Sequence, residues 1–166
     1  MKKAISKQNL SYTQANLADE LELYKKILQV FQIGDYYYYS TNQEGEIKFL
    51  NSDAVNVLGY NADFDKAFFD NCIHPEDAEH INSFKNEIDL FRKLLPFKKT
   101  MNYKVQYNFR YRKSDGEYIY LLHHEIPIEV TNEGKILKLL NLDIDVSYLE
   151  PENKPTLSFI GLKNEP

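Results

Sequence analysis

The stretch "NYKVQYNFRYRK", residues 102–113, limits the fold of this chain more than any other. Tyr103, Val105, Tyr107, Phe109 and Tyr111 take one phase of a two-residue period. Lys104, Gln106, Asn108, Arg110 and Arg112 take the other. Such alternation specifies a strand with one buried and one wet face. Asp115-Gly116 follows, a strong signal for a two-residue hairpin turn. That turn predicts Tyr111 opposite Tyr120, Phe109 opposite Leu122 and Tyr107 opposite His124, all on the aromatic face. Ile119, Leu121 and His123 then fall on the opposite face, beside Arg112, Arg110 and Asn108. An aromatic face of this kind must be covered, or must bind something.

The rest of the chain supplies a cover. Residues 1–13 are polar and read as a flexible N-terminal segment. Residues 14–33 read as a flanking helix with the seam Leu17, Leu21, Tyr24, Leu28 and Phe31. The seam spans about two heptads, short of the ~3–4 that argue a free coiled coil, so the helix packs on its own domain or meets a second copy. "YYYYS" and "EIKFLN", separated by "TNQEG", form a first hairpin. "SDAVNVLGY" forms a short helix stopped by Gly59. Further short helical pieces carry Phe64, Phe68, Phe69 and Ile73. "HPEDAEHINSFKNEIDLFRKLLP" is the clearest helix. His74 caps it, Pro75 opens it, and Glu76 and Asp77 oppose the positive end of its dipole. Ile81, Phe84, Ile88, Phe91 and Leu95 form its apolar stripe, and Pro96 forbids continuation. "TNEGK" turns the chain into a final strand, "ILKLLNLDIDVS". Helices between two groups of antiparallel strands make an α+β pattern.

Composition excludes some functions. The net charge of −5 argues against a general nucleic-acid surface, so the basic residues between Lys98 and Lys113 read as the wet face of the hairpin. Cys72 is the only cysteine, which rules out an intramolecular disulfide and fits a cytoplasmic location. No run approaches the ~18 apolar residues of a membrane span, and the N-terminus is no secretory signal. The six glycines form no phosphate loop.

Four segments in order resemble the PAS family, in its variant with a His-Pro-Glu-Asp helix start. They are "EGEIKFLNSDAVNVLGY", "IHPEDAEHI", "FRYRKSDGEYIYLL" and "EGKILKLLNLDIDVSYL". Tyr120 stands where that family usually has Trp. The resemblance covers residues 35–149 and implies a five-stranded antiparallel sheet of order 2-1-5-4-3 with helices on one face. It implies residues 34–149 as the PAS domain and sensing, protein association and dimerisation rather than catalysis. The ending "DVSYL" followed by "PTLSFIGL" is similar to the N-terminal sensor of bacterial LuxR-type helix-turn-helix regulators. On that likeness residues 150–166 are a linker toward an effector domain beyond "KNEP", and DNA is reached only through that effector.

The expected function is that of a non-enzymatic, cytoplasmic sensory domain, acting through a small apolar ligand, a dimer rearrangement, or both. The candidate pocket residues are Tyr37, Tyr39, Phe49, Phe84, Tyr107, Phe109, Leu122 and His124. The alternative is that they fill a solid core. Asp145 and Ser147 are the candidate relay into the tail. No cofactor or metal is expected. Neighbours His123 and His124 point to opposite strand faces, with His124 read at the core edge and His123 at the surface. Cys72 lacks the flanking residues of flavin-binding relatives, and His80 reads as a wet helical residue rather than a haem ligand. Two further functions stay open. One is a module for protein association alone. The other is a small α+β enzyme, which two buried ionisable groups facing one cavity would favour.

Overall fold

The computed structural model describes residues 34–61, 65–150 and 154–166, together with Lys26. Met1–Ile33 and Gly34–Pro166 are separate compact units. Of the first, Lys26 is described, and it is helical. Leu17, Leu21, Tyr24, Leu28 and Phe31 lie outside the described residues, as does Phe64.

In the second unit six strands form one sheet: β1 (Tyr36–Thr41), β2 (Ile47–Leu50), β3 (Tyr103–Arg112), β4 (Tyr118–Val130), β5 (Ile136–Asp145) and β6 (Leu157–Gly161). Their order is β2-β1-β5-β4-β3-β6, with antiparallel neighbours throughout. The first five keep the expected α+β order. β6 is an addition, because part of the segment read as a linker pairs with β3, setting Phe159 opposite Val105. Phe159 also stacks on Phe91 with ring centroids 4.1 Å apart. The tail is fastened further by Leu162 N donating to Asn102 O at 2.7 Å and by a 2.6 Å Lys99–Glu165 ion pair.

Among the described residues, three α-helices and a 3-10 helix (Phe97–Asn102) lie between the two strand groups: α1 (Asp53–Leu58), α2 (Lys66–Cys72) and α3 (Pro75–Leu94). α1 ends as its sequence requires. Gly59 adopts φ +76° and its N–H returns to Val55 O at 2.8 Å. α3 starts with His74 Nδ1 accepting from Glu76 N at 3.3 Å, and it buries Ile81 and Ile88. Asp77, also buried, fastens the helix to β3. Its carboxylate accepts from Arg110 N at 2.7 Å and from Arg110 Nη2 at 2.6 Å. Tyr37, Leu58, Tyr111 and Leu121 are the large side chains at the centre of the core.

The β3–β4 hairpin corrects the expected register. Its loop has three residues, Ser114, Asp115 and Gly116, closed by Lys113 N donating to Glu117 O at 2.8 Å. Gly116 takes φ +90°, the left-handed residue that ends such a loop. One extra loop residue slides the return strand by one position. Tyr111 therefore faces Ile119, Phe109 faces Leu121, and Tyr107 faces His123. Because side chains alternate, every β4 residue changes face. Ile119, Leu121 and His123 go into the core, while Tyr120, Leu122 and His124 share the outer face.

Candidate functional site

The register lines up a polar ladder across the inner face of the sheet. Tyr37 on β1 sits beside Asp143 on β5, Asp143 beside His123 on β4, and His123 beside Tyr107 on β3. The next row is Tyr39, Asn141, Glu125 and Val105. Polar side chains on a buried face need partners. His123 Nδ1 and Asp143 Oδ1 lie 2.6 Å apart, with both side chains almost wholly buried. Asn141 Nδ2 donates to Thr41 Oγ1 at 3.2 Å. Glu125 Oε1 accepts from Arg92 Nη2 of α3 at 2.6 Å.

Above this ladder lies a cavity of about 130 Å³. His123, Asp143, Asn141 and Glu125 are polar members of its wall, and Tyr39, Phe69, Tyr107 and Phe109 are aromatic members. Ile73 and Ile81 also line it. Lys66 and Lys85 line it too, with Asp70 3.9 and 3.2 Å from their respective ammonium groups. Burial, then the Asp143 charge, pushes the Tyr39 phenol far above its ordinary range. Burial, then Glu125 and Asp143, does the same to Tyr107. Both phenols thus stay neutral hydrogen-bonding groups. For His123, burial works against the charged form, but the Asp143 charge and hydrogen bond outweigh it and the pKa is raised. An open groove of about 400 Å³ lies at the end of α3, lined in part by Arg92, Lys93, Phe97 and Thr100.

Three of the pocket residues expected from sequence, Tyr39, Tyr107 and Phe109, line the cavity. Tyr37 is fully buried in the core beside it. Phe84 packs on Tyr107 at 5.8 Å between ring centroids but does not line it. Phe49 is turned outward. Leu50 pairs with Tyr39, so Phe49 falls on the other face, half exposed and beside Tyr38. Leu122 and His124 are excluded by the hairpin shift, and Leu122 instead lines a groove on the outer face with Gln106 and Asn108. The expected roles of the histidines are reversed, His123 being the interior one. His123, Asp143, Asn141 and Glu125 were missed as site residues. The signal was present in "NLDID", where Asn141 and Asp143 share one phase and Leu140, Leu142 and Ile144 the other. The polar phase faces inward, the reverse of the usual reading of such a strand.

Asp145 ends β5, and Ser147 opens the short 3-10 turn that follows it. Asp145 Oδ1 accepts from Ser147 N at 2.9 Å and from Ser147 Oγ at 2.6 Å. Ser147 Oγ in turn accepts from Tyr120 N at 2.9 Å, and Asp145 N donates to Asp35 O at 2.7 Å. One short turn therefore joins the end of β5 to β4 and to the start of the unit.

No family model matches the chain, and no curated protein matches it in sequence. Solved structures do match in fold. The N-terminal domain of a diguanylate cyclase with PAS/PAC sensor from Marinobacter aquaeolei is 16% identical, with a TM-score of 0.53. The match covers 70% of this chain and 99% of that one. A sensory box histidine kinase/response regulator from Burkholderia thailandensis is 11% identical over 76% of this chain and 86% of its own, with a TM-score of 0.55. A domain named for a light and redox sensing histidine kinase from Haloarcula marismortui is 14% identical over 74% of this chain and 98% of its own, with a TM-score of 0.51. The fold of Gly34–Pro166 is that of a PAS domain, with a sixth strand on the β3 edge.

Proposed function

We propose that the chain is the sensory input domain of a bacterial cytoplasmic signalling protein, reading a small ligand in the cavity beneath the sheet. The observation that carries this is the cavity itself. A buried, hydrogen-bonded ladder set among aromatic walls is the composition of a ligand site, apolar with a few placed polar groups. The domain is non-catalytic in this reading and works as a homodimer. The effector is a DNA-binding domain of the LuxR type, and a shift of β5 reaches it through the Asp145–Ser147 turn. The PAS fold and the sensory proteins that share it support this reading. So does the direct contact of Asp143 with His123, which ties the cavity floor to the strand ending at Asp145.

Native mass spectrometry of the purified protein tests it. A dimer carrying a small non-covalent adduct, lost on denaturation and refolding, is the expected result. A monomer that neither retains nor takes up any small molecule contradicts it.

Two observations favour other readings. The outward phase of β5 is Leu140, Leu142 and Ile144, and Leu140 is 37% exposed. That face suits a module for association alone, which would dimerise without any adduct. The His123–Asp143 pair meets the condition for an acid–base enzyme. His123 Nε2 has no hydrogen-bond partner among the described residues, so in that reading it would act on a group of the substrate itself.

A further inference from the structure

We infer that the cavity takes a neutral compound built on a single aromatic ring and rejects ions of the same size. This rests on the reading of the cavity as a ligand site and names the class of ligand.

The charges around the cavity are already matched. Glu125 lies 2.6 Å from Arg92. Asp143 lies 2.6 Å from His123, a close hydrogen bond whichever of the two holds the proton. Asp70 is 3.2 Å from Lys85 and 3.9 Å from Lys66, and both lysine side chains are half-exposed to water. Among the described residues, no charged side chain that lines the cavity is therefore both buried and unpaired. An ion entering this space sheds its water and meets no charge in need of a partner. A neutral molecule leaves the matched set as it is.

The uncharged polar wall is matched in part as well. Asn141 Nδ2 donates to Thr41 Oγ1 at 3.2 Å, and the Tyr39 and Tyr107 phenols stay neutral. The ligand needs no more than one small neutral polar group.

The aromatic wall decides the shape. Tyr39 of β1 and Phe69 of α2 stack at 29° with centroids 5.4 Å apart. Tyr107 and Phe109 of β3 lie 5.9 Å apart at 38°. Rings from three elements thus border one small space. A flat aromatic ring gains from offset or edge-on contact with such rings, by about 2- to 10-fold in affinity over a saturated ring of the same size. The volume sets the limit. About 130 Å³ is slightly smaller than the ~150 Å³ apolar cavity that admits benzene, so one ring with one small substituent fills it.

The test uses probes of about eight heavy atoms, followed by NMR and calorimetry on the full chain at about pH 7. Furamide is compared with furoate, and benzyl alcohol with benzylamine and with cyclohexylmethanol. Each neutral aromatic probe is expected to shift the Tyr107 and Phe109 signals and to bind at least ~10-fold tighter than its charged counterpart. Benzyl alcohol should exceed cyclohexylmethanol by about 2- to 10-fold, and Phe69→Leu should narrow that margin. Benzylamine should gain affinity as pH rises and it loses its proton. If the variant does not fold, the probe pairs on the natural protein decide. Equal or tighter binding of furoate or benzylamine at about pH 7 overturns the neutral class and leaves the cavity reading standing. Equal binding of cyclohexylmethanol overturns the aromatic class in the same way. No shift at Tyr107 or Phe109 with either neutral aromatic probe overturns the inference in full, and the cavity reading falls with it only if native mass spectrometry also shows no adduct.

Discussion

At the scale of single residues, two adjacent histidines are driven in opposite directions. For His123, burial disfavours the charged form, but the Asp143 charge and hydrogen bond outweigh it and raise its pKa above the ordinary 6.5. His124, on the outer face, is lowered to about 4 by burial and then by Lys104 and His123. Histidine NMR should show one ring titrating above the usual range and its neighbour near 4. Their effects on stability have opposite signs. The raised pKa of His123 lends stability that is complete below 6.5 and lost as pH rises through its folded value. The lowered pKa of His124 lends stability that is present above 6.5 and lost as pH falls toward 4. Denaturation midpoints across pH should therefore fall on both sides of neutrality, and His124→Gln should flatten only the acid limb. Asp77 makes a second residue-scale prediction. Its removal leaves the Arg110 guanidinium, whose side chain is only 11% exposed, with the exposed Glu76 carboxylate at 2.8 Å in place of a buried partner. Asp77→Ala should cost about 2–3 kcal/mol in urea unfolding. A cost under ~1 kcal/mol, that of an exposed pair, would show the contact to be incidental.

At the scale of elements, the hairpin and the added strand carry the most weight. Gly116 holds φ +90° with no atom within 4 Å of an added Cβ, so Gly116→Ala meets backbone strain and no clash. The expected cost is about 1–2 kcal/mol in thermal unfolding. No change would mean that the loop can adopt another form, and with it another register. β6 protects the edge of β3, and Phe159 is its anchor on Phe91. Phe159→Ala should speed hydrogen exchange in β6 and in the β3 amides that face it, while the β4–β5 pairing keeps its protection. Uniform loss of protection would show that β6 is part of the core fold rather than an edge strap.

The same elements show what the sequence carried and what it did not. The phase of β3 was legible because large aromatics alternate with charged residues along its whole length. The phase of β4 was not, since "YIYLLHH" is apolar in both phases and only the loop length selects between them. Asp115-Gly116 signals a turn but fits both a two-residue loop and the last two places of a three-residue one. The ladder followed from pairing: Asp143 and His123 are twenty residues apart, and only the β4–β5 register makes them partners. The start of α3 was legible because cap, Pro and acidic first turn lie in consecutive residues.

At the scale of the whole molecule, the outer sheet face needs a cover. Tyr38, Phe49 and Leu140 are 39%, 51% and 37% exposed there, and β4 adds Tyr120 and Leu122 to the same face. Ile119 and Leu121, first assigned to that face, lie in the core instead. A patch of this kind suits the association face of the proposed dimer. Sedimentation equilibrium on the full chain and on a chain starting at Gly34 should give a dimer for the first. Monomers for both at millimolar concentration would remove the dimer from the proposal. A folded monomer for the shorter chain alone would identify the N-terminal segment as the dimer element.

The strand order has a consequence for assembly in time. β1 is the first strand of the sheet to be made, yet its central-sheet neighbour β5 is the fourth to follow it, with Thr41 and Asn141 a hundred residues apart. Until β5 exists, the four consecutive tyrosines of β1 have only the four residues of β2 to pair with. Closing so long a loop is slow, and unpaired aromatic strands are prone to stick to one another. α3 can form from local signals alone while the ribosome is still adding the hairpin. The central sheet, and with it the buried ladder, therefore cannot close before β5 has been made.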